Sequence, residues 1–174
     1  MQRFKSWTLT DVHGDVWLDS FAAGNDTLHL PTPHDWSLRK RTLRGGLRDG
    51  LDLIEVHNGV LAFSILPTRG MGLWRGDYRG NPLGWRSPVA GPVHPKFVHP
   101  TERGGLGWLA GFDELLCRCG LSSNGPPGDD DGVPLTLHGP IANRPAHAVE
   151  VRVNLDPPLT VNSCGGSRLT RTST

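Results

Sequence analysis

Apolar and polar residues alternate at a period of two along several short stretches of the chain, which is the pattern of strands with one buried face. Phe4 to Thr10 and Val16 to Phe21 are rich in aromatic and β-branched residues, and Asp11 to Asp15 holds the glycine of a turn, so the pair predicts a hairpin. Trp36 to Leu43 sets tryptophan and leucine among charged residues in the manner of a half-solvated strand. Leu51 to Val56 and Val60 to Leu66 flank His57-Asn58-Gly59. Asn-Gly between alternating runs is the strongest short-range hairpin signal, and it predicts positive φ at both Asn58 and Gly59 or at Gly59 alone. Ala148 to Leu155 places Val149, Val151 and Val153 against Glu150, Arg152 and Asn154, a further strand at an edge or half-buried. Gly24 to Asp35 is polar and punctuated by proline, so it reads as a loop.

Past the second hairpin, turn residues displace the alternation. Pro88 to Pro100 is nearly structureless by composition and holds His94 and His99 between prolines. Glu102 to Leu109 is glycine-rich, precedes no helical pattern and lacks a phosphate-loop lysine, which argues against a nucleotide site. Gly111 to Leu121 forms another apolar run, with Asp113-Glu114 at its start and Arg118 inside it. Ser122 to Gly132 suits a solvated loop over a pocket mouth. Beyond Asp156 the residues are small and polar, so 156–174 is expected to be a loosely ordered tail and 1–155 a single domain.

Composition sharpens this picture. The 174 residues include 23 glycines and 15 prolines, over a fifth of the chain with no collagen-like period, so the backbone turns often and long helices are disfavoured. Net charge is +1, with Lys+Arg and Asp+Glu nearly equal, which provides no electrostatic footprint for nucleic acid. The cationic patch Arg39-Lys40-Arg41, with Arg44 and Arg48, reads as a solvated strand or loop face. Met1 to Trp7 lacks a signal core and no apolar run reaches membrane-spanning length, so no membrane partner and a cytoplasmic location are expected. Cys117, Cys119 and Cys164 miss the spacing of a zinc knuckle and read as buried or free thiols. A metal site built on His94, His99 and His138 is disfavoured by the rigid prolines around the first two, and no metal or cofactor is expected.

Candidate chemistry gathers at three places. Leu135-Thr136-Leu137-His138-Gly139-Pro140 delivers an imidazole to a Gly-Pro break at a strand end, where a cleft can form. In Arg69-Gly70-Met71-Gly72, two glycines let the backbone pass close to a ligand while Arg69 offers bidentate donors; the alternative is an arginine satisfied by a nearby carboxylate. Trp74, Tyr78 and Trp85 could present rings to the C–H face of a sugar, or could pack in a core.

Four segments occur together and in order: Leu66 to Gly72, Gly84 to Pro95, Gly111 to Leu121, and Leu137-His138-Gly139-Pro140-Ile141-Ala142-Asn143. Over roughly Leu51 to Val153 the chain resembles the aldose 1-epimerase-like proteins of the galactose mutarotase-like superfamily, within a bacterial group catalogued as a domain of unknown function. The resemblance implies a mostly β fold, an antiparallel β-sandwich of the supersandwich kind, present here as its N-terminal part. It implies a small-molecule sugar or sugar phosphate as partner and interconversion of sugar anomers as the reaction. In that reaction a base removes the anomeric hydroxyl proton while an acid protonates the ring oxygen, and the ring opens and recloses from the other face. His138 is the candidate acid, His94 a pocket residue that orients or polarises, Arg69 and Arg118 hold hydroxyls or a phosphate, and Asp113 and Asn143 satisfy further hydroxyls. The resemblance assigns the base to a glutamate on later strands, to which Glu102, Glu114 and Glu150 do not correspond by motif. A truncated relative with doubtful catalysis is therefore expected, and the rival readings are a non-catalytic carbohydrate-binding module and an inactive fragment.

Overall fold

The computed structural model describes residues 3–29, 35–155 and 161–166. It is a mostly β, antiparallel structure. One sheet has the order β12-β11-β1-β2, with β1 at Phe4–Asp11, β2 at Val16–Trp17, β11 at Ala148–Asn154 and β12 at Val161–Gly166. The larger sheet is a six-stranded meander of β3 Ser20–Gly24, β4 Ser37–Thr42, β5 Asp52–His57, β6 Leu61–Leu66, β7 Gly72–Tyr78 and β8 Asn81–Leu83. A third, two-stranded sheet pairs β9 Gly128–Asp130 with β10 Val133–Leu135. Helices are single turns, α1 at Asn25–Leu28 and α2 at Glu102–Gly105, with 3-10 turns between strands.

The two large sheets pack face to face. Leu9 of β1 and Val149, Val151 and Val153 of β11 meet Ala23, Leu38, Ile54, Val56 and Ile65 of the meander in one buried cluster. Alternation puts these side chains inward, and apolar burial on this scale is the main term holding a sandwich together. A smaller cluster of Leu43, Leu51, Leu53 and Leu66, with Trp74 against it, lies beside the first.

The hairpin at Asn58-Gly59 is present, with β5 and β6 antiparallel. Gly59 alone takes positive φ, at 89°. Asn58 N–H donates to the Leu61 carbonyl at 3.1 Å, while Asn58 Oδ1 accepts from the backbone N–H groups of Val60 and Leu61. This side-chain capping of the turn is why asparagine suits the position without itself entering the left-handed region.

Several expectations give way. Val16 to Phe21 is not one strand: the chain breaks at Leu18-Asp19 and crosses from the small sheet to the large one, so β2 pairs with β1 but β3 with β4. Gly24 to Asp35 carries the single-turn α1, and Ser122 to Gly132 contributes β9 to a small hairpin. In the stretch expected to be a loosely ordered tail, Val161–Gly166 pairs with β11 along its length, because the period-two β11 leaves an edge that accepts another strand. The rest of that stretch lies outside the described residues. The cationic patch is not wholly solvated either. Arg39 and Arg41 are exposed, but Lys40 shares the inward face of Leu38 and is 2% exposed. Its ammonium meets Asp52 Oδ2 at 3.0 Å and lies 4.2 Å from the centre of the Trp17 ring. Burial without such a partner would cost several kcal/mol, roughly the penalty for any uncompensated interior ion.

Candidate functional site

Between β6 and β7 the chain makes a 3-10 turn, Pro67–Arg69, and passes through Gly70 at φ 56°. Arg69 is 0% exposed and so is Glu114. Arg69 Nε donates to Glu114 Oε1 at 2.7 Å, and its Nη1 donates to the Val93 carbonyl at 3.0 Å and to Asn143 Oδ1 at 3.1 Å. Arg118 Nη2 donates to the same Glu114 oxygen at 2.8 Å, and its Nη1 donates to the carbonyls of Arg69 and Gly70. Burial pulls the Arg118 guanidinium below its ordinary range, against the opposing influence of Glu114. One buried carboxylate thus ties together four segments that are far apart in the chain.

The glycines of this turn are required by protein neighbours. A Cβ on Gly70 would lie 2.2 Å from the Ile141 carbonyl oxygen, and one on Gly72 would lie 2.4 Å from Arg118 Nη1. The close approach expected of a ligand is made by the Arg118 guanidinium and the 141 peptide. Of the two readings of Arg69, the carboxylate-satisfied arginine is the one present.

Beside this cluster lies an open pocket of about 420 Å³, with Trp74, Trp85, Leu83, Asp113, Arg75 and Arg86 among its lining. Trp74 is the extra residue of a β-bulge: Ser64 pairs with Arg75 but Ile65 pairs with Leu73. Bulges re-aim a side chain, and here the indole Nε1–H donates to Asp113 Oδ2 at 2.8 Å. Trp85 Nε1–H donates to the Glu114 carbonyl at 2.9 Å, which fixes the second ring. Arg75 lies 4.1 Å over the Trp74 ring. Burial raises the Asp113 carboxyl above its ordinary pKa; the Trp74 hydrogen bond opposes this and the neighbouring Glu114 charge adds to it. Asp113 Oδ1, Arg69 Nη2, Arg118 Nε and Asn143 Nδ2 are buried without a hydrogen-bond partner among the described residues, a concentration of unspent polar capacity in one region.

The six candidate residues therefore separate into groups. Arg69, Arg118 and Asn143 belong to the buried cluster, and Asp113 is the member that lines the pocket. His94 adjoins the cluster through Val93, and its Nδ1 accepts from the Lys96 N–H at 3.0 Å. Partial burial, and next the Lys96 charge, lower its pKa. His138 follows β10 by three residues, in a turn at φ 57°. It stands edge-on to Trp108, 4.8 Å between ring centres; Trp108 stacks on Phe112, and Phe112 tilts against Trp85. Two rings thus intervene between the imidazole and the Trp85 wall. Tyr78 lies outside the pocket lining and is exposed.

Sequence reasoning passed over Glu114 and the bulge. Glu114 and Arg118 stand four apart and would have marked an ion pair on a helix, but Gly111 to Leu121 is irregular, with Leu116 and Leu121 exposed. Gly72 and Gly76 on either side of Trp74 were the available sign of a bulge.

Residues 48–173 match the model of a family described as a domain of unknown function, DUF4432. Among solved structures, the chain is 35% identical to a Klebsiella pneumoniae protein provisionally described as an aldose 1-epimerase, with a TM-score of 0.91. The match covers 97% of this chain and 45% of that one, so the chain spans under half the length of the protein it resembles. None of the curated proteins matches.

Proposed function

The chain belongs to the DUF4432 family, and from that membership we propose that it binds a small sugar or sugar phosphate in the pocket between Trp74 and Trp85. The observation that carries the reading is the bulged Trp74 donating its indole N–H to the desolvated Asp113 within a pocket of about 420 Å³. That volume lies in the ordinary range for small-molecule sites. Flat rings suit the C–H face of a pyranose, and the Asp113 carboxylate fixes the Trp74 ring through its indole N–H. Arg75 and Arg86 in the lining supply the cationic groups that a phosphate or carboxylate on the sugar would need. The Arg69–Glu114–Arg118–Asn143 cluster has a positioning role, since it holds Asp113 through the chain.

The likeness to a protein described as an aldose 1-epimerase supports a sugar as the ligand class and mutarotation as the reaction of the longer proteins. For this chain we propose binding with little or no acceleration. Acid and base groups placed on opposite sides of a sugar each contribute about 10² to 10⁴ in rate. Asp113 is the titratable group at the pocket, its pKa raised by burial, and His138 lies behind two rings rather than opposite it. Calorimetry with galactose, glucose and their phosphates tests the binding, and polarimetry on freshly dissolved α-anomers tests the chemistry. Binding that weakens about tenfold in Trp85→Ala, near the upper end of what an aromatic contact supplies, supports the reading. Binding indifferent to both Trp85→Ala and Asp113→Asn sinks it. Rapid mutarotation by the 174-residue chain would refute the non-catalytic part.

A further inference from the structure

At the far end of the aromatic ladder, the ligating atoms of Cys117, Cys119 and His138 all lie within 4.8 Å of one another. We propose that these three residues form a binding site for a thiophilic metal ion, Zn²⁺ under ordinary conditions, with a water in the fourth position. Zinc bonds of about 2.3 Å to sulfur and 2.0–2.1 Å to nitrogen put tetrahedral ligand atoms about 3.5–3.8 Å apart, so rotation of exposed side chains closes the remaining gap. Both cysteines are free thiols at the surface. Two thiolates and an imidazole are a soft donor set that selects zinc or copper(I) over magnesium or calcium. Closure displaces one proton from each thiol and leaves the two thiolate charges balancing the 2+ ion.

The backbone supports the placement from both sides. Arg118, between the two cysteines, is pinned by Glu114 and by the carbonyls of Arg69 and Gly70, which fixes the segment that presents the thiols. Gly120 N–H donates to the Ser123 carbonyl at 2.9 Å, closing a turn just after Cys119. That turn rests on the His138 turn: a Cβ on Gly139 would meet Ser123 Oγ at 2.9 Å. His138 is held by its own N–H to the Gly125 carbonyl at 2.9 Å and by the edge-on Trp108. Its Nδ1 is buried and has no hydrogen-bond partner among the described residues, so the ring is oriented yet keeps an uncommitted nitrogen. Nothing in the sugar-binding reading uses this group of three residues.

The test is titration of the reduced, metal-stripped 174-residue chain with Co²⁺, followed by displacement with Zn²⁺. The expected result is a thiolate-to-cobalt charge-transfer band with visible bands of tetrahedral intensity at one equivalent, both abolished by one equivalent of Zn²⁺. Cys117→Ser/Cys119→Ser removes the charge-transfer band, His138→Ala weakens cobalt binding at least about tenfold, and Cys164→Ser leaves both unchanged. Circular dichroism of each variant confirms that the sheets persist. The proposal is overturned if the reduced chain shows no charge-transfer band, or if the band survives in the double cysteine variant. It is equally overturned if His138→Ala binds cobalt as the parent does.

Discussion

Replacing Glu114 by glutamine keeps the shape of the side chain and removes its charge. Glu114 and Arg69 are both 0% exposed, and one carboxylate oxygen receives Arg69 Nε at 2.7 Å and Arg118 Nη2 at 2.8 Å. The other oxygen receives the Asp113 N–H at 3.2 Å. In Glu114→Gln the amide oxygen can serve the two guanidinium groups, but the amide nitrogen then opposes the Asp113 N–H, donor against donor. Two cations are left in low dielectric without their counter-charge. Breaking a buried pair in this way costs about 3–5 kcal/mol, which for a chain of this size is a fall of roughly 6–20 °C in Tm at about 2–4 °C per kcal/mol. The exposed Arg41–Glu55 pair is the internal comparison, because Arg41→Ala should cost at most about 1 kcal/mol. Thermal unfolding followed by tryptophan fluorescence measures both. If Glu114→Gln melts within the range of Arg41→Ala, the cluster is not the desolvated clamp described above.

Other consequences are equally open to measurement. Gly70→Ala places a Cβ against the Ile141 carbonyl at a positive-φ position and should destabilise by at least about 1–3 kcal/mol in urea unfolding, whereas Gly80→Ala meets no neighbour and should cost mainly its backbone strain. Lys40→Met should cost about 3–5 kcal/mol by stranding Asp52, and Lys40→Met/Asp52→Leu should recover much of it. Asp113 has a folded-state pKa above its ordinary 3.8, so its contribution to stability is full below the unfolded value and is lost as pH rises through the folded value. The stability of the parent relative to Asp113→Asn should therefore fall as pH rises from below that ordinary value towards neutrality; a gap that widens with pH would reverse the assignment.

Much of the sandwich was legible because period-two patterning and one Asn-Gly turn carry strand, register and face together. The β5–β6 hairpin and β11 follow directly from Leu53, Ile54, Val56 and the valines at 149, 151 and 153. Lys40 was misread because charge was weighed without parity: it shares a face with Leu38, and Asp52 shares one with Ile54. Leu18-Asp19 changes sheets without any turn chemistry stronger than that of its neighbours, so the crossover was not visible. In the site, Arg69 was recognisable, and so was the chance that a carboxylate satisfied it, but the identity of that carboxylate depends on a contact 45 residues away. The proximity of Cys117 and Cys119 to His138 likewise arises from two turns packed together, and no spacing rule along one segment reveals it.

The central claim is that a sugar sits between Trp74 and Trp85. The most direct measurement is a titration of ¹⁵N-labelled chain with galactose, glucose and their phosphates, watching the indole N–H resonances of the six tryptophans. Added sugar up to roughly 100 mM detects even a site with a millimolar Kd. The Trp74 and Trp85 resonances should move together and saturate, Trp36 in the sandwich core should stay fixed, and Asp113→Asn should weaken the response. Saturable movement confined to other tryptophans, or none at any indole, would contradict it.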